Sequence, residues 1–363
     1  MTDPDNVSHY RRKRNASLSI LDAQKEAHKI AFYPMMFQAI RIMLDKGMLE
    51  FIAQNAKTGV TKEDILKEID LSDYAVGLLL DVGVYGDLLT VKNGWYKPTK
   101  IARYILDNPE IRINLNFMHD VCYQGAFFLD ESFQNERPEG LKVFGQWKTI
   151  YEGLSQLPPK VQDSWFTFDN YYSDLIFDDA VSIILKDKPK IVYDVGTNTG
   201  KFSKTLLSAD KDVRVRLFDL PPQLEKAKST LKEVGLSDRA EPYPVDVLSK
   251  DLSFPAGADA VFMSQFLDCF APKEIVSILS ALKKAMNPGA RLFILEPFVD
   301  KQIQTPALSL TNISLYFTCM ANGNSRMYKE TEMMTYVKDA GLSVTAAHQN
   351  LGEFKYTLLE CKV

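Results

Sequence analysis

The chain is expected to fold as an α/β protein, a Rossmann-like doubly wound sheet preceded by a mostly helical domain in a winged-helix arrangement. Three observations predict it. From Lys190 onward short apolar strands alternate with helical segments, a glycine turn follows the first of these strands, and before residue 110 helix follows helix until a small hairpin closes the run. At 363 residues the chain has room for about two domains, each with a core of its own.

The helical part comes first. From about Gln24 to Asp107 the pattern is helical with short breaks; Thr61 opens a capped helix in TGVTKEDILKEIDL, and Leu89 to Tyr96 reads as a hairpin turning on Lys92-Asn93-Gly94. Winged helices that bind DNA carry exposed Arg and Lys on the recognition helix. Here the corresponding segment, Tyr74 to Tyr85, has neither and is mostly apolar, which suits dimer packing. The basic run RRKR at Arg11 to Arg14 reads as a solvated N-terminal segment. Residues 1–110 therefore form a dimerisation domain, 111–188 linking helices that contribute to a substrate pocket, and 189–363 the sheet domain. The many aromatic residues between Pro109 and Pro189, Trp147, Tyr151 and Trp165 among them, are read mostly as core, with the wall of an apolar small-molecule pocket as the second reading.

The expected strands are 190–195, 213–219, 240–246, 258–265 and 290–296, and ligands of such sheets sit at the strand C-termini. Asp194 ends the first strand, Gly196 and Gly200 lie in the turn DVGTNTG, and Asp219 ends the second strand, where a carboxylate can accept from both ribose hydroxyls. Asn198 and Lys201 replace two glycines of the GxGxxG that seats a dinucleotide pyrophosphate. An acidic residue before the turn repels phosphate and suits an ammonium, and S-adenosylmethionine combines an ammonium and a ribose with no phosphate. Asp246 ends the third strand, placed to accept from an adenine amino group.

Composition excludes other classes. With 43 basic and 47 acidic residues, net −4, bulk charge draws the chain to neither nucleic acid nor membrane. No run of about 18 apolar residues appears and the N-terminus is polar, so a soluble, cytoplasmic protein is expected. The four cysteines lack CxxC spacing, so neither disulfides nor a metal site is expected.

The stretches DVGTNTG, DLPPQLEKA, PVDVL, FLDCFAPKEIVSIL, MNPGARLFILE and GNSRMYKETEMMTYVKDAGL, with YKPTKIARYIL upstream, resemble the small-molecule O-methyltransferases of the caffeic acid and acetylserotonin type. The resemblance covers nearly the whole chain. It implies a class I S-adenosylmethionine-dependent methyltransferase, a homodimer through the N-terminal domain, and a small aromatic or polyketide-like hydroxyl compound as acceptor. It extends the cofactor site of Asp194, Gly196, Gly200, Asp219 and Asp246 to Leu220, Val247 and Ser264. It also places Tyr316 and Phe317 on the acceptor pocket, with core packing as the rival reading, and makes FTFDNYYSD (166–174) the helix that caps the cofactor, with Asn170 and Tyr171 as contacts; His119, in the aromatic linking segment, either reaches that pocket or is packed and hydrogen-bonded.

The departures fall on the chemistry. The family's His-Asp-Trp, whose His is the general base, aligns with Asp268, Cys269 and Phe270; a conserved-role glutamate is matched by Glu296, a second is replaced by Ser325, and a cofactor-contacting Lys by Ser264. An ordinary carboxylate is a poor base for a phenol, yet two carboxylates in one dry pocket raise one pKa toward neutrality. Asp268 and Glu296 are thus expected to flank the acceptor, with Asp268 acting either as base or by orienting the acceptor. Two readings from other classes stay open at this stage: a winged-helix regulator that binds S-adenosylmethionine without catalysis, and a nicotinamide-dependent oxidoreductase.

Overall fold

The computed structural model describes residues 19–173, 176–302 and 305–363, so His9 and Arg11 to Arg14 lie outside the described residues. Among the described residues the chain divides into two compact units, 19–118 and 119–363.

In the first unit the helices Ile20–Asp45, Met48–Gln54, Lys62–Glu68 and Asp73–Tyr85 precede a hairpin of β1 (Leu89–Lys92) and β2 (Trp95–Pro98), and helices Lys100–Asp107 and Pro109–Phe117 follow. Local signals set the ends. Thr61 and Asp64 form a reciprocal capping box, each side chain accepting the other's backbone N–H at 3.2 and 3.1 Å. The hairpin turns on Asn93 and Gly94, both at positive φ, and its second strand runs on to Pro98, two residues past the expected end. A bridge from Val60 to Tyr96 ties the hairpin to the helices. Met43, Met48, Leu49, Ile52, Ile65, Val76 and Leu80 make the core, each such side chain contributing about 1.5–3 kcal/mol on burial. Apolar side chains are also left outside: Ile20, Leu21, Phe32, Met35, Tyr74 and Tyr85 are all more than 60% exposed.

The second unit holds a seven-stranded sheet in the order β5 (Ala240–Pro244), β4 (Arg214–Asp219), β3 (Ile191–Val195), β6 (Ala258–Ser264), β7 (Met286–Glu296), β9 (Tyr356–Lys362), β8 (Ser343–Leu351). The first five of these strands are parallel, and β9 and β8 add an antiparallel edge that the five-strand expectation did not contain. Both faces are covered, which is why β6 and β7 read as continuous apolar runs. Helices Pro272–Ala285 and Glu330–Asp339 pack Ile275, Leu279, Leu282, Met333 and Val337 on one face. Helices Phe177–Ile184, Lys201–Ala209 and Pro221–Glu233 pack Val181, Phe202, Leu206, Leu224 and Leu231 on the other. Of the aromatics expected in the core, Trp165 is buried, whereas Phe127 and Phe133 stand 88% and 57% exposed.

Candidate active site

The parallel strands deliver the expected carboxylates to one end of the sheet. The turn after β3 is stitched to β4 by Gly196 N donating to Phe218 O at 2.9 Å. Gly196 has φ 79°, and a Cβ there would meet the Phe266 ring at 2.3 Å, so glycine is required by packing within the protein as well as by backbone shape. Asp194 is 3% exposed and takes a short hydrogen bond from Ser203 Oγ. Burial, opposed by that bond and aided by the charge of Asp219, raises its pKa to about 7. Its carboxylate is thus directed at helix Lys201–Ala209.

Asp219 ends β4 with both oxygens anchored, Oδ2 accepting from Asn198 N at 2.8 Å and Oδ1 from Leu220 N at 2.7 Å. Loss of solvation on burial lifts its pKa to about 6 against these two bonds. Lone pairs remain on each oxygen for ligand hydroxyls. Asp246, just past β5, is exposed and caps its own loop through Leu248 N at 2.9 Å, with Val247 half-buried beside it. At the end of β6 the Ser264 hydroxyl is buried with no hydrogen-bond partner among the described residues, as is Asn198 Oδ1 in the turn. Buried polar atoms of this kind call for a ligand that satisfies them.

The second half of the site follows β6. Gln265 takes φ 47°, a strained value for a residue with a Cβ, and turns the chain out of the strand. The 3₁₀ turn Leu267–Cys269 then presents Asp268, 3% exposed, beside Glu296 at the end of β7, 2% exposed. Glu296 Oε1 accepts from Phe266 N and Leu267 N at 3.2 and 3.1 Å, while Oε2 has no hydrogen-bond partner among the described residues, and Asp268 lies close enough for its charge to act on Glu296. A carboxylate nearby disfavours ionisation of its neighbour. Desolvation, then the Asp268 charge, pushes Glu296 well up; desolvation brings Asp268 to about 7, with the Cys269 thiol lowering it and the charge of Asp169 raising it. Burial thus favours the neutral form of both carboxyls, and the Asp268 charge adds to that at Glu296.

Aromatic groups adjoin Asp268. Tyr151 donates its hydroxyl to Cys269 Sγ at 3.0 Å, its ring meets Trp165 edge-on, and Trp165 Nε1 donates to Tyr316 OH at 2.7 Å. Tyr316 and Phe317 are each 6% exposed. A crevice is bounded by Asp268, Glu296, Phe298, Tyr328 and Met333. Ser325, where a second glutamate was expected from the resemblance, donates to Asn322 Oδ1 at 2.8 Å, and Asn322 Nδ2 donates to the Cys269 carbonyl. That position now braces the loop bearing Asp268.

His119 opens a separate cluster, its Nδ1 2.7 Å from Asp120 Oδ1; Asp120 also accepts from Ser164 Oγ at 2.7 Å and pairs with Lys160 at 3.1 Å. Ser164 precedes Trp165, so this cluster borders the aromatic wall through one residue. Asp169 is a site residue that the sequence reading passed over. It lies in helix Pro159–Ser173, four residues after Trp165 and hence on the same face, and its Oδ2 is 2.6 Å from Asn198 Nδ2. The i,i+4 spacing from a pocket tryptophan was the available signal. Asp174, the end of the capping segment, lies outside the described residues.

Comparison with known proteins matches this architecture. The O-methyltransferase domain family model matches residues 129–343, and a Dimerisation2-like domain matches residues 24–96. The chain belongs to the O-methyltransferase family. It is an S-adenosylmethionine-dependent methyltransferase, built on the class I sheet with a mostly helical dimerisation domain before it.

Among relatives, an L-tyrosine C(3)-methyltransferase of Streptomyces lavendulae is 24% identical over 303 residues, covering 82% of this chain and 81% of that protein. A mitomycin biosynthesis 6-O-methyltransferase of the same species is 29% identical over 151 residues, spanning 42% of this chain and 41% of its own. The solved mitomycin 7-O-methyltransferase superposes with a TM-score of 0.71 at 18% identity, covering 94% of this chain and 97% of that one. The buried, unpartnered Ser264 Oγ and Asn198 Oδ1, together with the anchored Asp219, fit the cofactor that the family uses.

Proposed function

We propose that this enzyme methylates a hydroxyl oxygen of a small aromatic or polyketide-like compound, with Asp268 as general base and Glu296 as its protonated neighbour. The observation that carries the reading is the pair of buried carboxyls following β6 and ending β7, with Asp268 at a pKa of about 7. S-Adenosylmethionine supplies an electrophilic methyl group. The residues that hold it are Asp219 with Leu220 at the ribose, Asp246 with Val247 at the adenine, and Asp194, Gly196, Gly200 and Ser264 around the methionine end. Tyr316 and Phe317 wall the acceptor and His119 lies at the rim. Asp268 takes the acceptor proton, and the pair, sealed from water, keeps Asp268 ionised and Glu296 neutral at pH above 7.

Transfer to a ring carbon is the second reading, supported by the relative that methylates L-tyrosine at C(3), whose match spans most of both chains. The test is incubation of the enzyme with ¹³C-methyl-labelled S-adenosylmethionine and a panel of phenols, including hydroxylated amino acids and naphthoates. Products are read by mass and by the carbon shift of the new methyl. An O-methyl signal supports the first reading and a C-methyl signal the second; label transferred to none of the panel counts against both.

The exposed Phe32, Met35, Tyr74 and Tyr85 support a homodimer through the first unit, for which a winged-helix arrangement is the proposed form. Sedimentation is expected to give a dimer at micromolar concentration. Replacing Phe32 and Met35 together by aspartate is expected to shift it to monomer, and an unchanged dimer would place the interface elsewhere.

A further inference from the structure

We propose that Asp169 receives the ammonium of the cofactor's methionine arm, and that Asn198 holds it there. The inference rests on the cofactor assignment and adds to it a residue from outside the sheet. An ammonium taken out of water needs an acceptor, best a carboxylate. At the strand ends the carboxylates have other duties. Asp194 is buried and turned to Ser203 Oγ, Asp219 is anchored at the ribose position by Asn198 N and Leu220 N, and Asp268 is paired with Glu296.

Asp169 reaches the turn from helix Pro159–Ser173 and accepts from Asn198 Nδ2 at 2.6 Å. Asn198 therefore touches two carboxylates, Asp219 through its main chain at 2.8 Å and Asp169 through its side chain. It sits at φ 50°, where glycine is the easier residue. The side chain added here makes the contact that glycine cannot. The charge of Asp169 also raises the pKa of Asp268 and of Tyr316, so it lies within electrostatic reach of both. Between ribose carboxylate and base is the place for the arm that carries ammonium.

The test is calorimetric titration of the full-length protein, stripped of bound nucleoside, with S-adenosylhomocysteine and with 5′-methylthioadenosine, which has the adenosine and sulfur but no amino-acid arm. Asp169→Asn keeps the size of the side chain and an oxygen for Asn198. It is expected to weaken S-adenosylhomocysteine about 10-fold or more while leaving 5′-methylthioadenosine within about twofold. Asn198→Gly, which suits the backbone, is expected to weaken S-adenosylhomocysteine alone, in the same direction. S-Adenosylhomocysteine affinity unchanged in Asp169→Asn, or both compounds weakened by the same factor, would overturn the assignment. Affinity unchanged in Asn198→Gly would overturn the tether. Wild type binding neither compound would overturn the cofactor assignment itself, and the inference with it.

Discussion

Replacing Asp219 by alanine is expected to weaken S-adenosylmethionine binding by about 10²-fold or more in calorimetric titration. The carboxylate stands at the end of β4 with its position set by Asn198 N and Leu220 N. Two charge-assisted hydrogen bonds to ribose hydroxyls, at about 1.5–3 kcal/mol each, set the size of the loss. Alanine also leaves both N–H groups without their acceptor, so the turn that frames the methionine end loosens at the same time. A protonated carboxyl cannot accept from both hydroxyls. Since burial raises Asp219 to about 6, affinity is expected to fall as pH drops through that value. Binding within threefold of wild type in the alanine variant would move the ribose to another residue.

The second large effect is on turnover. Asp268→Asn is expected to reduce kcat by about 10²- to 10⁴-fold, the usual contribution of general base catalysis, with cofactor affinity unchanged. The amide keeps the shape of the side chain and can still meet the Cys269 thiol and Glu296, so the loss reports proton transfer. In wild type, kcat/KM is expected to rise with pH to a plateau above about 7, because the base must be ionised and desolvation holds its folded-state pKa there. That limb should vanish from the residual activity of Asp268→Asn. Retention of most activity, with the pH limb intact, would make Asp268 an orienting group.

Much of this site was legible along the chain because class I sheets concentrate ligand contacts at strand ends, and strand ends are easy to find where apolar runs stop. Asp194, Asp219, Asp268 and Glu296 all close apolar runs, and the sheet brings each to the same edge. Asp169 was not legible in this way. It lies mid-helix in a segment crowded with aromatics, and its importance appears only when that helix is laid against Asn198. The antiparallel edge was missed for a related reason. β8 alternates half-buried and exposed residues, a weak apolar signal, and β9 lies at the very end of the chain, where its burial comes from pairing with β7.

The succession of the five parallel strands and the helices between them, the glycine turn and the residue types at the strand ends were determined by the sequence alone, since each depends on local periodicity and on backbone conformations that few residues tolerate. Protonation states were decided by the tertiary structure. Asp268 and Glu296 stand 28 positions apart and become an acid pair only where β6 and β7 lie side by side. The same holds for Asp194, which reads as a ligand contact in sequence and is turned by the fold toward Ser203. A carboxylate's role follows from how much water it loses and which groups it faces, and both are properties of packing between elements distant in the chain.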